Sequence, residues 1–271
     1  MNKKNTKISN KKKMAFQISG IILIGMIAIV IILLFYFYKG DIESKPPKIV
    51  TSSVHIKQEN YKNRKVFLIT PKEGTTSDKV ILYIHGGSYM AELSGEHWSF
   101  FEKVIEDTGA TLIVPDYPLT PQYKYTDVLD MMIPLYQKMI KQVKKEDFIL
   151  LGDSAGGGIA LALLEKAGLE ELEQPSKTIL ISPWLDASMT NIEMDKVQEK
   201  DKILNKELLR LAGINYAGGE EELKNYLISP IYGPLEKLEN IIIYTGTSDI
   251  LNPDVHKLQK LAKEKRSTNY H

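Results

Sequence analysis

Gly152-Asp153-Ser154-Ala155-Gly156 sets one serine between two glycines, after the apolar run 148–151 and before an alanine- and leucine-rich stretch. That arrangement reads as a buried strand turning sharply into a helix, with a hydroxyl displayed at the turn. The glycines suit a turn so tight that neighbouring backbone leaves no room for a Cβ. Ser154 would stand at a helix start, where free N–H groups favour developing negative charge. A serine hydroxyl is a poor nucleophile at neutral pH: it needs a base for its proton and donors for the oxyanion that its attack creates. Donors are at hand in His85-Gly86-Gly87, directly after the apolar run 80–84. The backbone N–H groups of Gly86 and Gly87, with that of Ala155 after the serine, form the expected oxyanion hole. His85 itself reads as orienting this loop rather than as the base.

A carboxylate that fixes a histidine's tautomer belongs past the end of a neighbouring strand. Asp249 fits, just after the apolar run 241–244. Asp254 is its rival, but it falls in the first turn of the next helix, where aspartate suits the dipole for its own sake.

The elements that would carry these groups alternate along the chain. Apolar runs at 80–84, 111–114, 148–151, 178–181 and 241–244 read as strands buried on both faces, and 98–108, 127–143, 159–166 and 253–265 as helices. An antiparallel pair at 49–57 and 65–70 comes first. The resulting fold class is α/β: a mainly parallel, doubly wound sheet in one domain, 49–271. Residues 187–228, with helical pieces at 192–200 and 205–216, interrupt the alternation as a small cap. A surface excursion with no part in the pocket is the alternative.

The first 39 residues contain seven lysines and no acidic residue. Residues 1–13 form a basic segment, and residues 14–38 run 25 positions without a charge. At about 1.5 Å per residue that run crosses a hydrocarbon core of about 30 Å. Phe35, Tyr36, Phe37 and Tyr38 close it as an interfacial girdle. A cleavable signal would be shorter and would be followed by small residues, so the segment reads as an uncleaved transmembrane signal anchor. The lysines place the amino terminus in the cytoplasm and the domain outside, joined by a linker at 39–48.

Beyond residue 39, 28 basic side chains face 34 acidic ones, which gives no nucleic-acid footprint. With no cysteine, thiolate chemistry and disulfides are excluded. No His/Asp/Glu spacing suggests a metal, no glycine fingerprint suggests a dinucleotide, and no cofactor is expected.

Taken together, Leu82-Tyr83-Ile84-His85-Gly86-Gly87, Asp116-Tyr117-x-Leu119-x-Pro121, Gly152-Asp153-Ser154-Ala155-Gly156-Gly157, Ser182-Pro183-Trp184-Leu185-Asp186, Ser229-Pro230 and Gly246-Thr247-x-Asp249-x-Leu251 resemble the hormone-sensitive-lipase-like family of α/β-hydrolases, in that family's order. The resemblance implies hydrolysis of small carboxylic esters through an acyl-enzyme on Ser154, with Asp249 as the acid. It also implies a histidine about 30 residues beyond the acid, whereas 22 residues follow Asp249 here. Residues 267–271 read as the opening of a final strand. The preferred reading is that the family's final strand and histidine loop are missing, which would leave an apolar sheet edge open. His271, early for the role, is the alternative base. Of the other histidines, His55 precedes the core, His97 comes in the wrong chain order, and His256 reads as exposed on the last helix. The esterase has two alternatives: a catalytically impaired relative that binds ester-like ligands, and a cell-surface polysaccharide deacetylase.

Overall fold

The computed structural model describes residues 44–47 and 53–268, the last three as backbone only. The chain divides after Ile42, and the described strands and helices belong to the unit that begins at Glu43. The expected transmembrane segment, 14–38, lies outside the described residues. Among those described, no helix is long and apolar enough to cross a membrane.

Among the described residues seven strands form one sheet: β1 (Val54–Tyr61), β2 (Arg64–Pro71), β3 (Val80–Ile84), β4 (Thr111–Pro115), β5 (Phe148–Asp153), β6 (Lys177–Ile181) and β7 (Ile241–Tyr244). Their order is β1-β2-β4-β3-β5-β6-β7. The pairs β1/β2 and β2/β4 are antiparallel, and the five strands from β4 to β7 are mutually parallel. Lys62 and Asn63 both take positive φ (48° and 61°) in the two-residue turn joining β1 to β2, the conformation that matches the right-handed twist of a hairpin.

Among the described residues five α-helices accompany the sheet: α1 (Gly95–Thr108), α2 (Tyr125–Gln142), α3 (Ser154–Leu169), α4 (Lys206–Ala217) and α5 (Asn252–Thr268). The central strands are apolar throughout because each buries both faces. Leu82 and Ile84 of β3 pack with α2 and α3, while Ile81 and Tyr83 pack with Trp98, Phe101 and Ile105 of α1. α1 starts at Ser94, whose hydroxyl accepts the His97 N–H, and stops at Gly109 in the left-handed region.

Several boundaries move. The helix after β5 begins at Ser154 itself, five residues before the apolar periodicity announces it. In the 187–228 insertion only α4 is a full helix, and the expected piece at 192–200 is a 3-10 turn at Ile192–Lys196. Ser267 and Thr268, read as opening a final strand, instead finish α5. The helix formers Leu261, Ala262, Lys263, Glu264 and Lys265 carry it on, with no glycine or proline to stop it. Ser44, expected in a free linker, is buried. Its N–H and hydroxyl donate to Asp116 (3.0 and 2.6 Å), and its oxygen accepts the Leu93 N–H (3.1 Å). β7 is the outer strand among those described. On one face its Ile242 and Tyr244 are exposed, and on the other Ile241 and Ile243 line a groove of about 450 Å³ between β7 and α5.

One residue of α3 runs against its surroundings. Glu165 is buried with its carboxyl group against Gly233, and neither carboxyl oxygen has a hydrogen-bond partner among the described residues. Burial pushes its pKa up to about 10, so it is carried neutral at pH 7. An unpartnered buried carboxyl costs roughly 1–3 kcal/mol. Glu165→Met, whose unbranched chain follows the same path, is therefore expected to raise the thermal midpoint at pH 7 by a few degrees. Calorimetry of the full chain checks this; a lower midpoint would contradict it.

Candidate active site

β5 delivers Asp153 in extended conformation, and α3 begins at the next residue. Between them Ser154 takes φ +47°, a strained value for a residue with a side chain. The turn is as crowded as expected. A Cβ on Gly152 would lie 2.6 Å from the Gly156 carbonyl oxygen, and one on Gly156 would collide with the Ile84 carbonyl of β3. The Ser154 carbonyl accepts the Trp184 N–H (2.8 Å), tying the turn to the segment after β6. Ala155 lies in the first turn of α3, where backbone N–H groups lack intrahelical acceptors.

The loop after β3 corrects one expectation. The Gly86 N–H donates to Asp153 Oδ1 (2.9 Å), so it is not free for an oxyanion. Gly86 is buried, whereas Gly87 and Ser88 beside it are half-buried. In this loop the N–H groups of Gly87 and Ser88 are left without an acceptor among the described residues. Ser88 escapes a reading based on paired glycines because a serine carries no such signal, yet its φ of +54° gives the backbone the same left-handed form.

His85 orients the loop. Its Nδ1–H donates to the Gly86 carbonyl (2.7 Å), and its ring stacks on Tyr117 at 4.3 Å. The Tyr117 hydroxyl donates to the His85 carbonyl (2.8 Å). Burial pushes His85 down to about 4, so it stays neutral at pH 7. Further on, Tyr89 lies between Trp184 and α4's Tyr216, at 5.1 and 3.6 Å between ring centroids. The insertion therefore touches the loop that carries the donors.

Asp153, Ile181 and Tyr244 stand in register across β5, β6 and β7. Ser154 and Asp249 accordingly both follow the carboxyl edge of the sheet, two strands apart. Asp249 is half-buried. Its Oδ1 accepts the Leu251 N–H (2.8 Å), and its other oxygen takes no bond among the described residues. Asp254 lies in the first turn of α5 as expected but is fully buried, with Oδ1 accepting from Asn191 Nδ2 (2.8 Å) and Oδ2 unpartnered.

The described histidines occupy other places. His55 lies on β1, and His256 is exposed on α5 beside the β7 groove. Both nitrogens of His97 are engaged, one by Ser94 and one by Asp153. Ser154 Oγ makes no hydrogen bond among the described residues. His271 lies outside them. No group of described His, Asp or Glu residues could hold a metal ion.

Residues 81–271 match the family described as alpha/beta hydrolase fold. An esterase from Acinetobacter venetianus is 28% identical over 194 residues, 71% of this chain and 64% of its own length. An acetyl-hydrolase from Streptomyces hygroscopicus is 25% identical over 185 residues, 68% of this chain and 62% of its own. The match thus spans a little under two thirds of these relatives' length. The solved structure of an esterase/lipase from an uncultured bacterium is similar with a TM-score of 0.72 and 26% identity, over 82% of this chain and 73% of that one.

Burial pushes Asp254 up to about 6, against the hydrogen bond from Asn191. An acid raised on folding is protonated in both states at low pH. It costs stability once pH climbs from its unfolded value of 3.8 through about 6. Asp254→Asn keeps the shape and removes the charge, worth up to about 3 kcal/mol above that window. The variant is expected to melt higher than the parent at pH 8, with the gap closing towards pH 4. Melting curves across that range test it, and a constant gap would refute it.

Proposed function

The chain belongs to the alpha/beta hydrolase fold family, and on that premise we propose that it hydrolyses small carboxylic esters through an acyl-enzyme on Ser154. The observation that carries this reading is the strained Ser154 at the start of α3, close to a loop whose Gly87 and Ser88 N–H groups have no acceptor among the described residues. Ser154 Oγ attacks the ester carbonyl, and the N–H groups of Gly87, Ser88 and Ala155 stabilise the oxyanion. The alcohol leaves, and water releases the acid from Ser154. Asp249 orients the histidine that relays the proton. The family's chain order expects that histidine after Asp249, and His271, early for the role, is the residue in this sequence to test for it.

Short acyl groups, acetyl above all, are the substrates. A relative named acetyl-hydrolase supports this, and so does an insertion that contributes a single full helix. Full-length protein should turn over p-nitrophenyl acetate, and Ser154→Ala should reduce turnover to background, a loss of at least about a thousandfold. Equal rates in the two would sink the reading in favour of a ligand-binding relative. A similar loss in His271→Ala would identify the base.

The apolar segment 14–38 anchors the protein in a membrane with the hydrolase domain outside the cytoplasm. Support comes from the lysines before it and the aromatic residues that end it. Protease added to intact cells should remove the domain. Protection in intact cells with cleavage after lysis would place it inside.

A further inference from the structure

The Gly-x-Ser-x-Gly turn puts no chemical demand on the residue before its serine, yet here Asp153 collects donors from three elements. The Tyr83 hydroxyl of β3 donates to Oδ1 (2.6 Å), the Gly86 N–H to the same oxygen (2.9 Å), and His97 Nε2 of α1 lies 3.4 Å from Oδ2. Burial alone would raise this acid's pKa. The hydrogen bonds from His97, Tyr83 and Gly86 outweigh it and hold Asp153 below the ordinary carboxylate range, so it is ionised. Bonds to an ionised acceptor are roughly twice as strong as neutral ones.

His97 is set by its other nitrogen. Nδ1 accepts the Ser94 backbone N–H (3.0 Å), so in the neutral ring the proton sits on Nε2 and points at Asp153. Ser94 is both the N-cap of α1 and the last residue of the loop that starts at His85. One imidazole therefore holds the far end of the loop at Ser94 and, through Asp153, its near end at Gly86. The free N–H groups of Gly87 and Ser88 lie between these two ties. The carboxylate is the covalent neighbour of Ser154. No room is left at the near end, because a Cβ on Gly86 would collide with Asp153 and sit 3.0 Å from Ser154 Cβ.

We propose that Asp153 and His97 form a latch that fixes the distance between the donor loop and Ser154, as positioning residues that do not touch the substrate. The latch rests on the hydrolase reading of Ser154. It gives His97 a role that excludes it as the base, since neither nitrogen is free for the serine. It also explains the histidine at the third position of α1, where a capping box ordinarily carries glutamate or glutamine.

That preference supplies the test. A glutamine at this position can still reach back to the Ser94 N–H, so His97→Gln keeps the cap of α1 while giving up the contact with Asp153. On p-nitrophenyl acetate, His97→Gln and Asp153→Asn in the full-length protein should each lower kcat at least about tenfold with KM within about twofold. The double variant should be no worse than Asp153→Asn alone. Melting temperature should stay near the parent's in His97→Gln. A His97→Gln enzyme with parental kcat would mean that the histidine only caps the helix, and would overturn the latch. Hydrogen exchange followed by mass spectrometry on the loop peptide of the same proteins gives a readout that needs no turnover. The loop should exchange faster in both variants, and unchanged exchange would overturn the proposal even if the parent hydrolyses nothing. Absent turnover in the parent, by contrast, counts against the esterase reading alone.

Discussion

A serine at φ +47°, between the last residue of a buried strand and the first turn of a helix, is the constraint on which the rest of this structure depends. Such a backbone is held only where its surroundings over-determine it. Here they do so from three sides. β3 approaches so closely that position 156 tolerates no Cβ, the Trp184 N–H fixes the Ser154 carbonyl, and α3 is buried along nearly its whole length. A helix buried on all sides has no amphipathic stripe. The alanines, leucines and glycines after Ser154 are thus what the turn requires of the segment behind it.

The donor loop has the same problem and solves it differently. Ser88 and Tyr89 both take positive φ, so two consecutive side-chain residues sit where glycine would be at ease. The Tyr89 ring is fixed between Trp184 and Tyr216, and the Tyr89 carbonyl accepts the N–H of Thr120 (2.8 Å). Large aromatic area and one backbone bond hold a conformation that the local sequence disfavours. The consequence reaches the insertion, because α4 supplies Tyr216. The 187–228 segment is thereby packed against the loop whose geometry matters most.

Much of this was legible in the residues. The parallel strands announce themselves because burial on both faces leaves unbroken apolar runs such as Val80–Ile84, and the Gly152–Gly156 spacing announces the turn. What was illegible depends on where polar groups find partners in space. Nothing local says that the Gly86 N–H will be taken by Asp153, a residue 67 positions away, and so the pair of glycines is read as the pair of donors. Ser44 falls in a stretch with the composition of a linker, yet Asp116 and Leu93 draw it into the fold. Ser267 and Thr268 suit a strand by propensity, but the helix formers before them settle the matter.

Access and partners also bear on the acid role proposed for Asp249 over Asp254, the two aspartates that follow β7. To orient an imidazole, a carboxylate must be ionised and must keep an oxygen free on the side where the ring arrives. Asp254 fails on access: its Oδ2 is unpartnered, but the residue is wholly enclosed and offers no exposed side to an arriving ring. Its other oxygen is taken by Asn191, and burial pushes its pKa to about 6. Its place in the first turn of α5 would favour the anion, but a helix dipole falls short of the cost of removing the charge from water. Asp249, half-buried at the carboxyl edge of the sheet, takes the Leu251 N–H on one oxygen and leaves the other open. The same rule separates Asp153 from Glu165. Three donors keep the first ionised despite its burial, and the absence of any leaves the second a neutral passenger in the core. In this protein the number of donors within reach, more than depth, decides which carboxyl groups can do electrostatic work.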